Sequence, residues 1–422
     1  MLDAFDFERF TGVDWFLSSG PGTGGKLRFL PEDFVVEEMG EPRPGEGVFA
    51  LKIKHMNWES GALKERIRRD TGAKEDDITF AGTKDKRAVV THWITINRRT
   101  APVLNIEGVD VLESRPTSCL LRSGEHDGNR FVIRIRSVVG EDEAMGLARS
   151  VMDELTSWPN FFGIQRFGAY RSVTHLAGRA LVKSGAEEAV KTYIGYVGNA
   201  VGEERDAREL FASRADFVDV LEAMPKHLVY ERRMLRHLAG CPEDYHGALM
   251  SLPRGLVQFL IHGYQSYLFN RILSKRLEAG LPLNSPVDGD LLLPPAARHK
   301  GGQPRFVPVT SANAAVSADA VARGKGCITA ALPGSDSPLA KGEPGELEMR
   351  ILEEEGLVRE HFSIPHLPGM SSRGTRRAVS ISPDDMGLWW DDGVMLSFAL
   401  PPGGYATTIL REIMKSSDPL SY

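Results

Sequence analysis

Between residues 46 and 56 apolar and polar positions alternate, with Phe49, Leu51 and Ile53 on one side and Lys52 and Lys54 on the other, the period of two expected of a half-buried strand. The period then lengthens. Leu63 and Ile67 make an i, i+4 apolar pair, Ser60 is placed to cap a helix and Gly72 to end it, and Lys64, Arg66, Arg68 and Arg69 are interspersed. Runs at 78–80, 89–96, 109–112 and 131–135 predict further strands, and 144–155 predicts an amphipathic helix with Met145, Ala148, Met152 and Leu155 on its apolar face. The short connections favour antiparallel pairing, because each parallel pair needs a crossover.

After Gly168 the texture changes. Segments 174–184, 186–197 and 256–279 read as helices, 284–308 and 332–345 are rich in Gly and Pro, and 311–323 is small and helix-compatible. Alternation returns near Arg376, where Val379 and Ile381 are out of phase with Ala378, Ser380 and Ser382. A strand at 394–400 and a helix at 405–414 follow, separated by Pro401-Pro402-Gly403-Gly404. This order predicts an α+β domain interrupted by a mainly helical insertion: a first part at 1–167, the insertion at 168–374 and a C-terminal part at 375–422.

The length of 422 residues fits two domains. Cys119, Cys241 and Cys327 are too far apart in sequence to suggest a disulfide framework or a zinc site. No apolar run approaches the ~20 residues that span a bilayer, and the acidic start, MLDAFDFERF, lacks the basic and apolar stretches of a leader, so a cytoplasmic protein without membrane attachment is expected. A net charge of −6 argues mildly against a nucleic-acid partner. Its distribution argues the other way, since residues 51–136 hold 17 Lys and Arg against 12 Asp and Glu, and that region can face a polyanion.

Chemistry concentrates in Phe80-Ala81-Gly82-Thr83-Lys84-Asp85-Lys86-Arg87-Ala88, a glycine-containing loop between two predicted strands. A lone Asp in a loop is ordinarily a turn residue or an exposed ion-pair partner. Here it stands among three bases, Lys84, Lys86 and Arg87, which favour its ionised form and attract phosphates. The glycine-rich stretch from Gly20 to Lys26 lacks the Gly-Lys-Ser/Thr ending of a nucleotide loop. Neither HExxH-like histidine spacing nor a Gly-x-Ser-x-Gly elbow occurs, which argues against metal and serine-hydrolase chemistry.

The loop resembles the catalytic motif of TruD-type tRNA pseudouridine synthases, with Gly82, Lys84, Asp85, Ala88 and Thr91 at the motif positions and one more Val than the family's usual form between Ala88 and Thr91. Five further blocks are similar to that family in its own order. They are Arg28-Phe29-Leu30-Pro31-Glu32-Asp33-Phe34 continuing to Glu37, Gly128-Asn129-Arg130-Phe131, the decapeptide from Pro159 to Gly168, Thr329-Ala330-Ala331-Leu332-Pro333-Gly334, and Leu400 to Thr407. Within the decapeptide, Phe162 and Phe167 read as packing residues.

The resemblance implies a pseudouridine synthase fold, a mixed and mostly antiparallel sheet flanked by helices, with an inserted mainly helical TRUD domain. It implies isomerisation of one tRNA uridine, at position 13, with Asp85 as the essential carboxylate acting as nucleophile or as a base at the ribose 2′ carbon. Arg28 would pair with Asp85, Phe131 would stack on the uracil and Asn129 would bond nearby. RNA contacts are expected from Lys84, Lys86, Arg87, Arg68 and Arg69, although the last two equally suit a solvated helix face. Breaking N1–C1′ and rejoining through C5 needs no redox agent, metal or donor, so no cofactor and no obligatory protein partner are expected. Two other readings stand beside this one. A non-catalytic RNA-binding or chaperone protein on the same fold would have no need of Asp85 in a basic loop. A glycoside-type hydrolase would need a second carboxylate, with Glu37 as the nominee.

Overall fold

The alternation near residue 50 is realised as a 13-residue strand, Pro44–Met56, hydrogen-bonded on both sides, with Leu51 opposite Ile94 of Val89–Ile96 and Ser114 of Val109–Thr117. The structure, a computed structural model, describes residues 1–82, 84–122, 124–168, 170–213, 215–294, 304–364, 367 and 369–422. Thr83 of the basic loop and 295–303 of the Gly/Pro-rich stretch lie outside the described residues. The chain divides into two compact units, Ser18–Trp158 with Ile381–Tyr422, and Met1–Leu17 with Pro159–Ser380.

The first of these units is built on a nine-stranded sheet. Its spatial order is Asp384–Trp390, Val394–Leu400, Gly128–Val138, Phe34–Met39, Val89–Ile96, Pro44–Met56 and Val109–Thr117. Gly24–Lys26 adds to Gly128–Val138, and Ile78–Phe80 to Val89–Ile96. Pairing is antiparallel except between Phe34–Met39 and Val89–Ile96, whose intervening chain supplies the crossover a parallel pair needs. Val394–Leu400 pairs with Gly128–Val138 from Val394↔Ile135 to Leu400↔Asn129, so chain after Ile381 completes the sheet begun near Phe34. Leu63 and Ile67 of the helix Ser60–Thr71 pack with Leu51, Ile53, Ile94 and Ile96.

Two helical expectations shift. Glu59, not Ser60, caps Ser60–Thr71, its carboxylate accepting from the Gly61 and Ala62 N–H groups at 2.9 and 2.8 Å. The helix Glu141–Glu154 buries Ala144, Ala148 and Val151, and Leu155 just after it is buried as expected, whereas Met145 and Met152 are only half-buried.

The other unit is mainly helical around the 25-residue helix Arg254–Glu278. A Cβ on Gly178 of Thr174–Ser184 would lie 2.0 Å from the Leu260 carbonyl oxygen, and one on Gly263 2.6 Å from Thr174 Cγ2, so glycine on each helix permits their close crossing. A four-stranded sheet, ordered Val307–Pro308, Leu291–Leu293, Cys327–Leu332, Thr375–Ala378, completes the unit. Its buried Arg376 pairs with Glu348 at 2.7 Å, and Glu348 also accepts from the Ala331 and Ala340 N–H groups. Residues 1–17 and 159–167 pack here, not with the sheet unit, and strand Thr375–Ala378 does too. The reason for the first is polar: buried Asn270 donates to the Thr11 carbonyl at 3.0 Å and Ser274 to that of Gly12 at 2.8 Å. Phe162 and Phe167 are both buried in this unit.

Candidate active site

The basic loop is fastened at both ends and from below. Ala81 and Ala88 are buried, the Ala81 carbonyl accepts from Gly124 N–H at 2.7 Å and that of Ala88 from Asn57 N–H at 3.2 Å. Released from capping, the Ser60 hydroxyl accepts from the Lys84 N–H at 3.2 Å. The Lys84 ammonium turns inward, 2.6 Å from Glu38 Oε2, with the two side chains 6% and 2% exposed, and also donates to Asn129 Oδ1 at 2.8 Å. A buried pair of this kind is costly to break on one side only.

On the opposite side of the loop Asp85 stays accessible. Arg28 Nη2 meets its Oδ1 at 2.7 Å, the carboxylate side chain 42% exposed and the arginine 14%. Arg28 adopts a left-handed backbone (φ 53°), and its guanidinium carbon lies 4.0 Å from the Phe34 ring centroid, a cation–π contact. Phe34 meets Phe131 edge-on at 6.1 Å, and Phe131 lies 5.5 Å from Phe398. The sheet register explains the grouping: Phe131 stands opposite both Val36 and Phe398, and Asn129 opposite Glu38. Arg87 donates to the Phe29 carbonyl at 2.6 Å, a second tie between the two motifs.

Of the expected residues, Asp85, Arg28, Lys84, Asn129 and Phe131 therefore come together, Phe131 as a buried ring. Lys86 and Arg87 are exposed on the loop. Arg68 and Arg69 lie in the last turn of Ser60–Thr71, roughly 12–14 Å along the axis from Ser60. Both are engaged by Glu65, at 2.6 and 2.7 Å. Glu37, nominee for a second carboxylate, faces Lys52 at 3.2 Å.

Three further features have no role assigned by the sequence motifs. Glu38 carries a signal: it follows Phe34 and Val36 at inward parity, and a charge there calls for a buried partner. Asp33, also buried, accepts from Arg136 Nε at 2.8 and 3.0 Å and from Leu30 N–H at 2.8 Å. Burial works against its carboxylate, but those bonds hold its pKa below the ordinary value. His55 and His92 form the third feature, a buried pair with Nε2 atoms 3.2 Å apart. Burial pushes His55 down to about 4, and burial followed by the neighbouring His55 and Lys84 charges holds His92 well below the ordinary histidine value. Among the described residues no group of three or more His, Cys, Asp or Glu is placed to hold a metal ion, and no helix is long and apolar enough to cross a membrane.

The sequence model of the family described as "tRNA pseudouridine synthase D (TruD)" matches residues 10–413. A Methanosarcina mazei protein named "Probable tRNA pseudouridine synthase D" is 36% identical over 98% of both chains. A Thermococcus gammatolerans protein of the same name is 38% identical over 97% of this chain and 99% of its own. A crystal structure of a TruD-family protein from Methanosarcina mazei superposes with a TM-score of 0.83 at 35% identity, covering 100% of both chains. Fold and comparisons together define an isomerase of the pseudouridine synthase class. The chain belongs to the tRNA pseudouridine synthase D (TruD) family.

Proposed function

We propose that this protein converts one tRNA uridine, at position 13, to pseudouridine in the cytoplasm, with Asp85 as the essential carboxylate. The Asp85–Arg28 contact of 2.7 Å carries the reading: an accessible carboxylate is fixed by one cation, on a loop anchored by another, Lys84. In the reaction the N1–C1′ bond breaks, the uracil turns, C5 bonds to C1′, and the C5 proton leaves as N1 gains one. Asp85 acts at the sugar, as a nucleophile or as a base at the 2′ carbon. Arg28 places and balances its charge. Asn129 bonds to the base or sugar nearby, and Phe131 gives the uracil an aromatic wall. Lys86 and Arg87 meet the backbone phosphates, whereas Lys84, committed to Glu38, positions the loop. The mainly helical unit, Met1–Leu17 with Pro159–Ser380, takes the body of the tRNA.

The test is Asp85→Asn, which removes a charge and little volume. Tritium release from C5-labelled uridine in tRNA should vanish while filter binding stays within about tenfold, or ~1.4 kcal/mol. Turnover by the variant would refute the assignment. Mapping pseudouridines in cellular tRNA with and without the protein fixes the position.

A further inference from the structure

Next in the chain to Arg28, which binds Asp85, an aromatic ring stands in solvent. Phe29 is 56% exposed, and Leu30 next to it is also exposed. Single exposed apolar residues are commonplace. Phe29 differs in how firmly its backbone is held. Arg28 before it is fixed in the left-handed region, a conformation that costs a non-glycine residue energy, and its side chain is bound by Asp85 and Phe34. The Phe29 carbonyl accepts from Arg87. The Leu30 N–H is taken by Asp33, a buried carboxylate gripped by Arg136, which reaches Asp392 at 2.5 Å as well. A chain of ion pairs thus holds an exposed ring at a turn whose preceding residue touches the reactive carboxylate.

We infer that Phe29 stacks against a nucleobase of the tRNA adjoining the isomerised uridine, taking the place that uridine leaves when it turns out of the stack. The inference rests on the proposed site at Asp85. Charge complementarity selects the occupant: Lys86 and Arg87 are exposed on the adjoining loop, so a ring flanked by cations fits a base flanked by phosphates. A base leaving a stack exposes the face of its neighbour, and an aromatic ring held in place recovers that contact without being ordered first.

The test uses full-length Phe29→Ala, Phe29→Leu, Phe29→Tyr and Phe29→Trp in single-turnover tritium release on tRNA across enzyme concentrations, with melting curves alongside. Phe29→Ala and Phe29→Leu should lose at least about fivefold in rate at limiting enzyme with unchanged melting, while Phe29→Tyr and Phe29→Trp stay within about twofold. A benzoylphenylalanine placed at position 29 should cross-link to tRNA within about two nucleotides of the uridine that the same preparation modifies. Wild-type kinetics for Phe29→Ala, equal loss in all four variants, or cross-links elsewhere on the tRNA or only to protein would each overturn the inference. If Asp85→Asn is inactive while Phe29→Ala matches wild type, the stacking role alone falls. If Asp85→Asn turns over, the site reading falls with it.

Discussion

Arg28 and Asp85 meet at 2.7 Å across 57 residues of sequence, and the same guanidinium rests 4.0 Å from the Phe34 ring centroid. One side chain thereby ties the loop carboxylate to the sheet beneath it. Asp85 is held where it is by a cation that is itself held by packing, so the loop need not be ordered when RNA arrives.

Arg28→Ala should therefore slow turnover roughly ten- to hundredfold, the equivalent of losing a charge-assisted hydrogen bond of ~1.5–3 kcal/mol. Arg28→Lys should recover part of the rate, since it keeps the charge but loses the planar fork and its seat on Phe34. Tritium release measures both; full activity in Arg28→Ala would show that Asp85 needs no partner.

Lys84 and Glu38 predict a different pattern. Removing either partner leaves the other buried and charged, so Lys84→Met and Glu38→Gln should each destabilise by about 3–5 kcal/mol. The double variant should cost far less than the sum. Additive losses in denaturant melts would mean the two charges do not depend on each other.

Phe131, proposed above as the uracil's aromatic wall, is a buried core ring between Phe34 and Phe398, so Phe131→Ala confounds two effects. It should cost ~3–5 kcal/mol of stability along with turnover. Phe131→Leu separates them: the melt should stay near wild type while tritium release falls. If Phe131→Leu is fully active, no aromatic face is needed there.

Affinity for tRNA should fall with salt despite the net charge of −6, and the groups responsible should be Lys86 and Arg87. Replacing either with Ala should lower the slope of log K against log salt by about 1 if it pairs with one phosphate. Arg68 and Arg69, already shared with Glu65, should change the slope less. A larger effect at Arg68 than at Lys86 would reverse the assignment.

His55 and His92 make stability sensitive to acid. Both have folded pKa values below the unfolded value near 6.5, with His55 at about 4. Between those values the unfolded chain binds protons that the folded chain does not, so stability is complete above pH 6.5 and is lost as pH falls toward 4. The melting temperature should drop across that window, and His92→Phe should flatten the drop. An unchanged pH profile in the variant would show that other groups dominate.

Much of this is legible in the amino-acid sequence. Alternation and i, i+4 spacing marked the strands Val89–Ile96 and Val394–Leu400 and the helix Ser60–Thr71, because each buries a face whose period is written locally. The resemblance to TruD-type synthases brought Arg28 and Asp85 together. What sequence did not show were neighbours set by register: Glu38 lies beside Asn129, and so within reach of Lys84, only because Phe34–Met39 pairs with Gly128–Val138 at that offset. A one-residue slip would turn Glu38 outward. Ser60 illustrates the same limit, since its helix-start position suggested a cap, and the loop that claims its hydroxyl lies 24 residues on.

Val394–Leu400 lies inside the sheet, between Asp384–Trp390 and Gly128–Val138, and buries Val394, Leu396 and Phe398. Ala406–Met414 is buried along its length, and Glu412 accepts from the Ser18 N–H and hydroxyl at 3.1 and 2.9 Å. Ending the chain at Ser380 would strip Gly128–Val138 of a full partner strand, uncover Phe131 and leave a long apolar edge in water. Fragment 1–380 should therefore aggregate or melt without a cooperative transition for its sheet unit, while the unit containing Pro159–Ser380 keeps its helical signal. Supplying 381–422 in trans should restore solubility and turnover together, because the missing strand, helix and Glu412 contacts return as one piece. A soluble 1–380 fragment with full tritium release would show that the returning chain is dispensable to the site.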